Sequence, residues 1–176
     1  MKVKYLEKFY VAGITTRTNN KIELMAPAGN FESLQAALDN GCDSVYFGVE
    51  QLNMRARASV NFTMDDLAEI AKRCEAKNVR SYLTLNTIIY DHDLSVVKTL
   101  INKAKEANIT AVIASDQAVI AMARSVGMEV HISTQLNVTN IETIKFYSLF
   151  ADTMVLSREL SLRQVKKITE QIEKEQ

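Results

Sequence analysis

From Lys21 onward, short apolar runs alternate with segments whose apolar side chains recur every three or four positions. The first run predicts a strand over residues 22–26, stopped by Pro27-Ala28-Gly29-Asn30. A helix follows over 31–40, with Phe31, Leu34, Ala37 and Leu38 on one face and Gly41 as its stop. A second strand is predicted over 44–49, and then comes the long polar stretch EQLNMRARASVNFT. Thr63 caps a helix to residue 77, with Leu67, Ile70, Ala71 and Cys74 on its apolar side. The third strand is predicted over 79–89, followed by a helix that Asp91 or Asp93 opens and that runs to 107. A fourth strand over 111–114 leads through Ser115-Asp116 into a helix ending at Gly127. A fifth over 129–134 precedes a helix over 140–149, and a sixth over 153–156 precedes a last helix capped by Ser161.

Six β-then-α units in succession imply a parallel sheet buried between helices. A doubly wound sheet and a TIM-type (β/α)₈ barrel both accept that pattern. No Gly-rich phosphate fingerprint follows any of the strands, which weakens the dinucleotide-binding reading. A closed barrel takes eight units and about 250 residues. The expectation is therefore a TIM-barrel-like (β/α) repeat of about six units over 21–176, an incomplete barrel that forms the front of a longer one. Residues 1–20 stand apart as a leader: Phe9, Val11 and Thr15 alternate with Tyr10, Ala12 and Thr16, the pattern of one extra strand that could cover an open sheet edge.

In parallel α/β architectures ligands collect beyond the carboxyl ends of the strands, where loops converge and helix N-termini point inward. Those positions hold Pro27 to Asn30, Gly48 to Arg57, Asn86-Thr87, Ser115-Asp116, Ser133-Thr134-Gln135 and Ser157-Arg158-Glu159. Capping of the next helix is an equally good account of Ser115, Asp116 and Ser161. Gln135 lies well ahead of the expected cap at Asn140, so Thr134-Gln135 is read as ligand-facing. Arg55 and Arg57, two apart in an extended segment beside Asn53, suit a phosphate or carboxylate; a solvated loop or a pair of salt bridges is the alternative. Arg158 and Glu159 read as an internal ion pair. Asp116 and Glu159 could do acid–base work, though no paired-carboxylate spacing singles them out.

Nucleophilic catalysis finds little support in the residues. His92 falls in a turn, and His131 falls in a strand, as a core or wall residue. No HExxH motif occurs, and no Ser-His-Asp or Cys-His pattern stands out, so catalytic residues are left unassigned and no metal site is expected. Cys42 and Cys74, the only cysteines, are read as buried structural thiols. Apolar residues make up 47% of the chain and charged residues 24%, with 21 basic side chains balancing 21 acidic ones. That balance suits an ordinary globular domain and excludes a strongly basic nucleic-acid footprint. No run approaches the roughly 18 apolar residues of a membrane span, and the start is too charged for a secretory signal. A cytoplasmic location is the expectation.

Five blocks in order carry a family resemblance: ELMAPAGNFESLQAALDNGCDSVYFGVEQLNMRARASVNFT, YLTLNTIIYD, ASDQAVI, HISTQLNVTN and LSRELSLRQVKKI. Together they resemble the N-terminal part of the peptidase U32 family, the collagenase-like proteins whose bacterial members hydroxylate RNA bases or support oxygen-independent ubiquinone hydroxylation. The resemblance implies a TIM-barrel-like catalytic region. It implies that a diagnostic Cys-rich segment holding an iron–sulfur cluster lies downstream, so that no cofactor belongs to these 176 residues. Its motif positions fall on Pro27, Gly29, Asn53, Arg55, Arg57, Asn86, Thr87, Asp116, Ser133, Thr134, Gln135, Arg158 and Glu159. The implied activity is RNA base hydroxylation, with part of the machinery outside this chain. A collagenase-like peptidase and a non-catalytic, anion-binding scaffold or partner subunit are the alternatives. The implied partner is an RNA or a peptide, with self-association through open sheet edges as a further expectation and no membrane.

Overall fold

The computed structural model describes residues 22–49, 52 and 62–174. The expected leader strand in 1–20 and the residues Asn53, Arg55 and Arg57 lie outside the described residues. Six strands form one parallel sheet in the order β1 (Met25–Ala28), β2 (Ser44–Phe47), β3 (Arg80–Leu85), β4 (Ala111–Ala114), β5 (Glu129–Ile132) and β6 (Thr153–Met154). Their crossovers are the helices α1 (Phe31–Asp39), α2 (Leu67–Ala76), α3 (Leu94–Glu106), α4 (Gln117–Ser125) and α5 (Ile141–Ser148), with α6 (Leu162–Lys174) after β6. A strictly sequential order is that of a barrel; a doubly wound sheet reverses its order partway. The incomplete TIM-barrel-like repeat is therefore what the chain forms.

Four of the helix-to-strand turns are built alike. Each has a left-handed residue just past the helix: Gly41 at φ 78°, Asn78 at 55°, Asn108 at 62° and Gly127 at 69°. The next residue then donates its N–H back into the last helical turn: Cys42 to Ala37, Val79 to Cys74, Ile109 to Ala104 and Met128 to Ala123. Glycine lacks the Cβ that penalises this conformation and asparagine tolerates it, so all four helices close with the same backbone bond. The apolar residue that donates is then buried or half-buried as it enters the strand.

Side chains alternate across each strand. One face presents Val45, Phe47, Leu83, Leu85, Val112, Ala114, Val130 and Ile132 to the helices, all at most 2% exposed. Leu34, Leu38, Ile70, Leu100, Ile101, Val119 and Ile144 cover them and make the main core. The opposite face carries Tyr46, Tyr82, Ala111 and Ile113 beside the polar residues Ser44, Arg80, Glu129 and His131. On that face Tyr46, Tyr82, Ala111 and Glu129 lie in one register across β2 to β5, with Ser44 beside Arg80 one level below.

Three strand boundaries differ from the hydrophobic pattern. β1 begins at Met25, not Ile22, and runs through Pro27, which had been expected to stop it. Ile22 is 90% exposed and Leu24 59% exposed. Among the described residues β1 pairs with β2 alone, so the missing proline N–H costs no ladder bond there. β3 stops at Leu85, four residues before the end of the apolar run, because its neighbour β4 ends at Ala114, the partner of Leu85. β6 is only two residues long, with Val155 N–H bonded to Ile132 just beyond it.

Candidate functional site

The carboxyl end of the sheet is built where the backbone leaves the ladder. Asn86 follows β3 directly, and its side-chain amide donates to Ser133 Oγ across 3.3 Å, reaching past β4 to the end of β5. Ser133 is buried, and its hydroxyl also accepts the Gln135 N–H at 3.3 Å, capping a single 3₁₀ turn over Thr134–Leu136. That turn ends at Asn137 in the left-handed region at φ 49°. Below this pair, one inward position down β3, Thr84 Oγ1 is buried with no hydrogen-bond partner among the described residues. An asparagine amide, a buried serine and an unsatisfied threonine hydroxyl thus share one end of one face.

The other expected site residues have diverse placements. Thr87 and Thr134 are half-buried in the same loops, and Gln135 is exposed. Asp116 Oδ1 accepts the Ala118 N–H at 2.8 Å, so it caps α4, the alternative that its sequence context had left open. Gly29 donates its N–H to Ser33, whose hydroxyl also belongs to the Asn30 capping box of α1. Arg158 and Glu159 lie exposed on the turn after β6. The Ser157 hydroxyl donates to Glu159 and is the main cause of its lowered pKa, with a smaller share from Arg158.

A second polar constellation occupies the amino-terminal half of the same face. Arg80 Nη2 bridges both Glu129 oxygens at 2.8 and 2.9 Å, and its Nη1 reaches Glu23 at 3.4 Å. Tyr82 donates its hydroxyl to Glu23 at 2.5 Å, and the Arg80 guanidinium lies 5.1 Å over the Tyr82 ring. His131, 5% exposed, places Nε2 2.8 Å from Glu129 Oε1, with its ring edge-on to Tyr82 at 4.6 Å. The His131 hydrogen bond holds Glu129 at a pKa of about 2, against desolvation and with help from Arg80. An ionised carboxylate only accepts, so His131 carries its proton on Nε2. Burial and the bond to Glu23 push the Tyr82 phenol upward.

His131 is therefore a wall residue, as its place in the strand suggested, and it is committed to Glu129. The cluster around it was missed from sequence. Its signal was a charged residue opening each of two apolar strands, Arg80 and Glu129, both on the inward face.

Both thiols sit in the helix-facing core. Burial pushes Cys74 up to about 11 and raises Cys42. Neither is a thiolate at neutral pH, so neither is an activated nucleophile. A cavity of about 260 Å³ opens at the other, amino-terminal end of the sheet, beside Cys74, Asn78, Ser81, Asn108 and Thr110. The strand-following loops do not converge there, so it is not taken as the site. No described helix is long and apolar enough to cross a membrane.

Comparison with known proteins agrees with this architecture. The chain is 54% identical over 153 residues to a protein named collagenase from Porphyromonas gingivalis, covering 87% of this chain and 37% of that protein. It is 34% identical over 162 residues to a tRNA hydroxylation protein P from Helicobacter pylori, covering 89% of this chain and 38% of the relative. The chain thus spans less than two fifths of either relative. Among solved structures, a U32 peptidase superposes with a TM-score of 0.70 at 14% identity, over 89% of this chain and 67% of that one, a likeness of fold. The profile of Peptidase family U32 matches residues 29–176. With the sequential parallel sheet and its polar carboxyl-terminal rim, that match makes this chain a member of the U32 family.

Proposed function

We propose that this chain is the N-terminal barrel portion of a protein that hydroxylates a base in transfer or ribosomal RNA. The observation that carries the reading is the Asn86–Ser133 pair above the buried Thr84 hydroxyl. Amides and hydroxyls in a neutral rim match the hydrogen-bonding edge of an unstacked base, and they pull little on a phosphate chain. A formal net charge of zero fits capture in a pocket, not wrapping of a long duplex. Arg55 and Arg57, outside the described residues, would by their chemistry supply an anion clamp. Similarity to the tRNA hydroxylation protein supports the same reading.

Cys42 and Cys74 are too few and too buried to hold an iron–sulfur cluster, which takes four thiolates. Redox chemistry is therefore assigned to residues outside this chain, in keeping with the downstream Cys-rich segment that the resemblance implies. An RNA-modifying role places the protein in the cytoplasm.

A collagenase-like peptidase is the second reading, favoured by the 54% identity to the protein of that name. Against it stand the raised thiol pKa values and a His131 engaged by Glu129. Mass spectrometry of ribosomal and transfer RNA nucleosides tests the choice. Cells lacking the gene are expected to lose one hydroxylated base, which returns with the natural reading frame. Unchanged nucleosides together with collagen cleavage by the purified protein would replace hydroxylation with proteolysis.

A further inference from the structure

The loop after β3 contains a feature that the Asn86–Ser133 pair does not use. Ile88 lies in the run over 79–89 whose pattern predicts strand, and Tyr90 and His92 follow it; the chain leaves the sheet after Leu85 and presents all three to solvent. Ile88 is 72% exposed, Tyr90 58% and the His92 side chain 79%. The Tyr90 and His92 rings are stacked, parallel within 3° with centroids 5.6 Å apart, so they form an offset aromatic pair.

Asp93 fixes the backbone turn that carries the two rings. Its carboxylate accepts the Tyr90 N–H at 2.9 Å, its own N–H donates to the Tyr90 carbonyl at 2.8 Å, and its other oxygen lies 3.6 Å from His92 Nε2. The loop that carries them starts at Asn86, which donates to Ser133 at the carboxyl end of the sheet.

We propose that Tyr90 and His92 form a stacking platform for an unpaired nucleobase of the RNA, next to the base held at Asn86 and Ser133. The inference rests on the RNA reading. A base offers a planar π face of the size of these rings, and stacking on aromatic side chains is how unpaired RNA bases are commonly held. Exposed Asp91 and the Asp93 carboxylate oppose a phosphate here, so the ring faces, not the RNA backbone, are recognised. The turn that carries the rings is already hydrogen-bonded, so its backbone loses little conformational freedom on binding.

The test uses the protein expressed from its natural reading frame and single-stranded RNA 12-mers carrying 2-aminopurine, whose fluorescence is quenched by stacking. Tyr90→Ala and His92→Ala are expected to abolish the quench and weaken binding roughly 5- to 150-fold, the worth of one base–aromatic stack. Tyr90→Phe should bind as wild type, and the salt dependence and melting midpoints should stay unchanged. Wild-type binding and quench by Tyr90→Ala would overturn the platform, as would loss with Tyr90→Phe or failure of the wild type to bind RNA. Nucleosides from the same strains separate the two claims. If Tyr90→Ala binds normally while the hydroxylated base is still made, only the platform falls. If the 12-mers stack on Tyr90 but no nucleoside depends on the gene, the hydroxylation reading falls and the platform stands.

Discussion

Glu129→Gln isolates the electrostatics of the inner face. In the native protein Glu129 accepts from His131 and from Arg80, and its pKa falls from 4.5 to about 2. At 1.36 kcal/mol per pKa unit, a drop of about 2.5 units corresponds to at most about 3.4 kcal/mol of stability. The side chain keeps 30% of its exposure, so solvent screening reduces the expected effect to about 2 kcal/mol. Glutamine has the same shape but turns one donor toward Arg80 or His131, leaving a buried hydrogen-bond donor opposed.

The sign follows from the depressed pKa. Stability from Glu129 is fully present above the unfolded value of 4.5 and is lost as pH falls toward about 2. Thermal unfolding by circular dichroism should therefore find Glu129→Gln about 4–8 °C less stable than wild type at pH 7. The gap should shrink by more than half by pH 3. Equal melting points at pH 7, or a gap that persists undiminished to pH 3, would refute the argument.

Leu100, fully buried in α3, should cost about 3 kcal/mol on Leu100→Ala, seen as a lower urea midpoint at unchanged slope. Asn30 accepts the Ser33 N–H at 2.8 Å, so Asn30→Ala should lose about 1 kcal/mol in the same titration. Thr84→Val should leave stability within about 0.5 kcal/mol or raise it, because the hydroxyl is buried without a partner among the described residues; a loss above about 1 kcal/mol would reveal one. Native Cys42 and Cys74 should resist a thiol reagent at pH 7 and react in denaturant; fast native reaction of either would contradict its burial.

The chain's local pattern determined how many β/α units form, and it located the caps and stops. The Asn140 cap, the Thr63 boundary and the left-handed stops at Gly41 and Gly127 are legible because they depend on side chains within a few residues of one another. The same locality made Asn86, Ser133 and Thr134 recognisable as strand-end residues. Strand length was not local. Whether 86–89 continues β3 depends on β4 having ended at Ala114, and whether Pro27 stops β1 depends on β1 standing next to β2 alone among the described residues.

Contacts between distant residues were beyond reach for the same reason. Arg80 meets Glu23 and Glu129 across 57 and 49 residues of chain, and Asn86 meets Ser133 across 47. Hydrophobic periodicity records which way a side chain faces, but not which strands lie side by side or in what register. The sequence by itself thus determined the elements and their inward faces. Only the tertiary structure decided which charges share the curved interior, because low exposure there makes each buried carboxylate and guanidinium dependent on a partner.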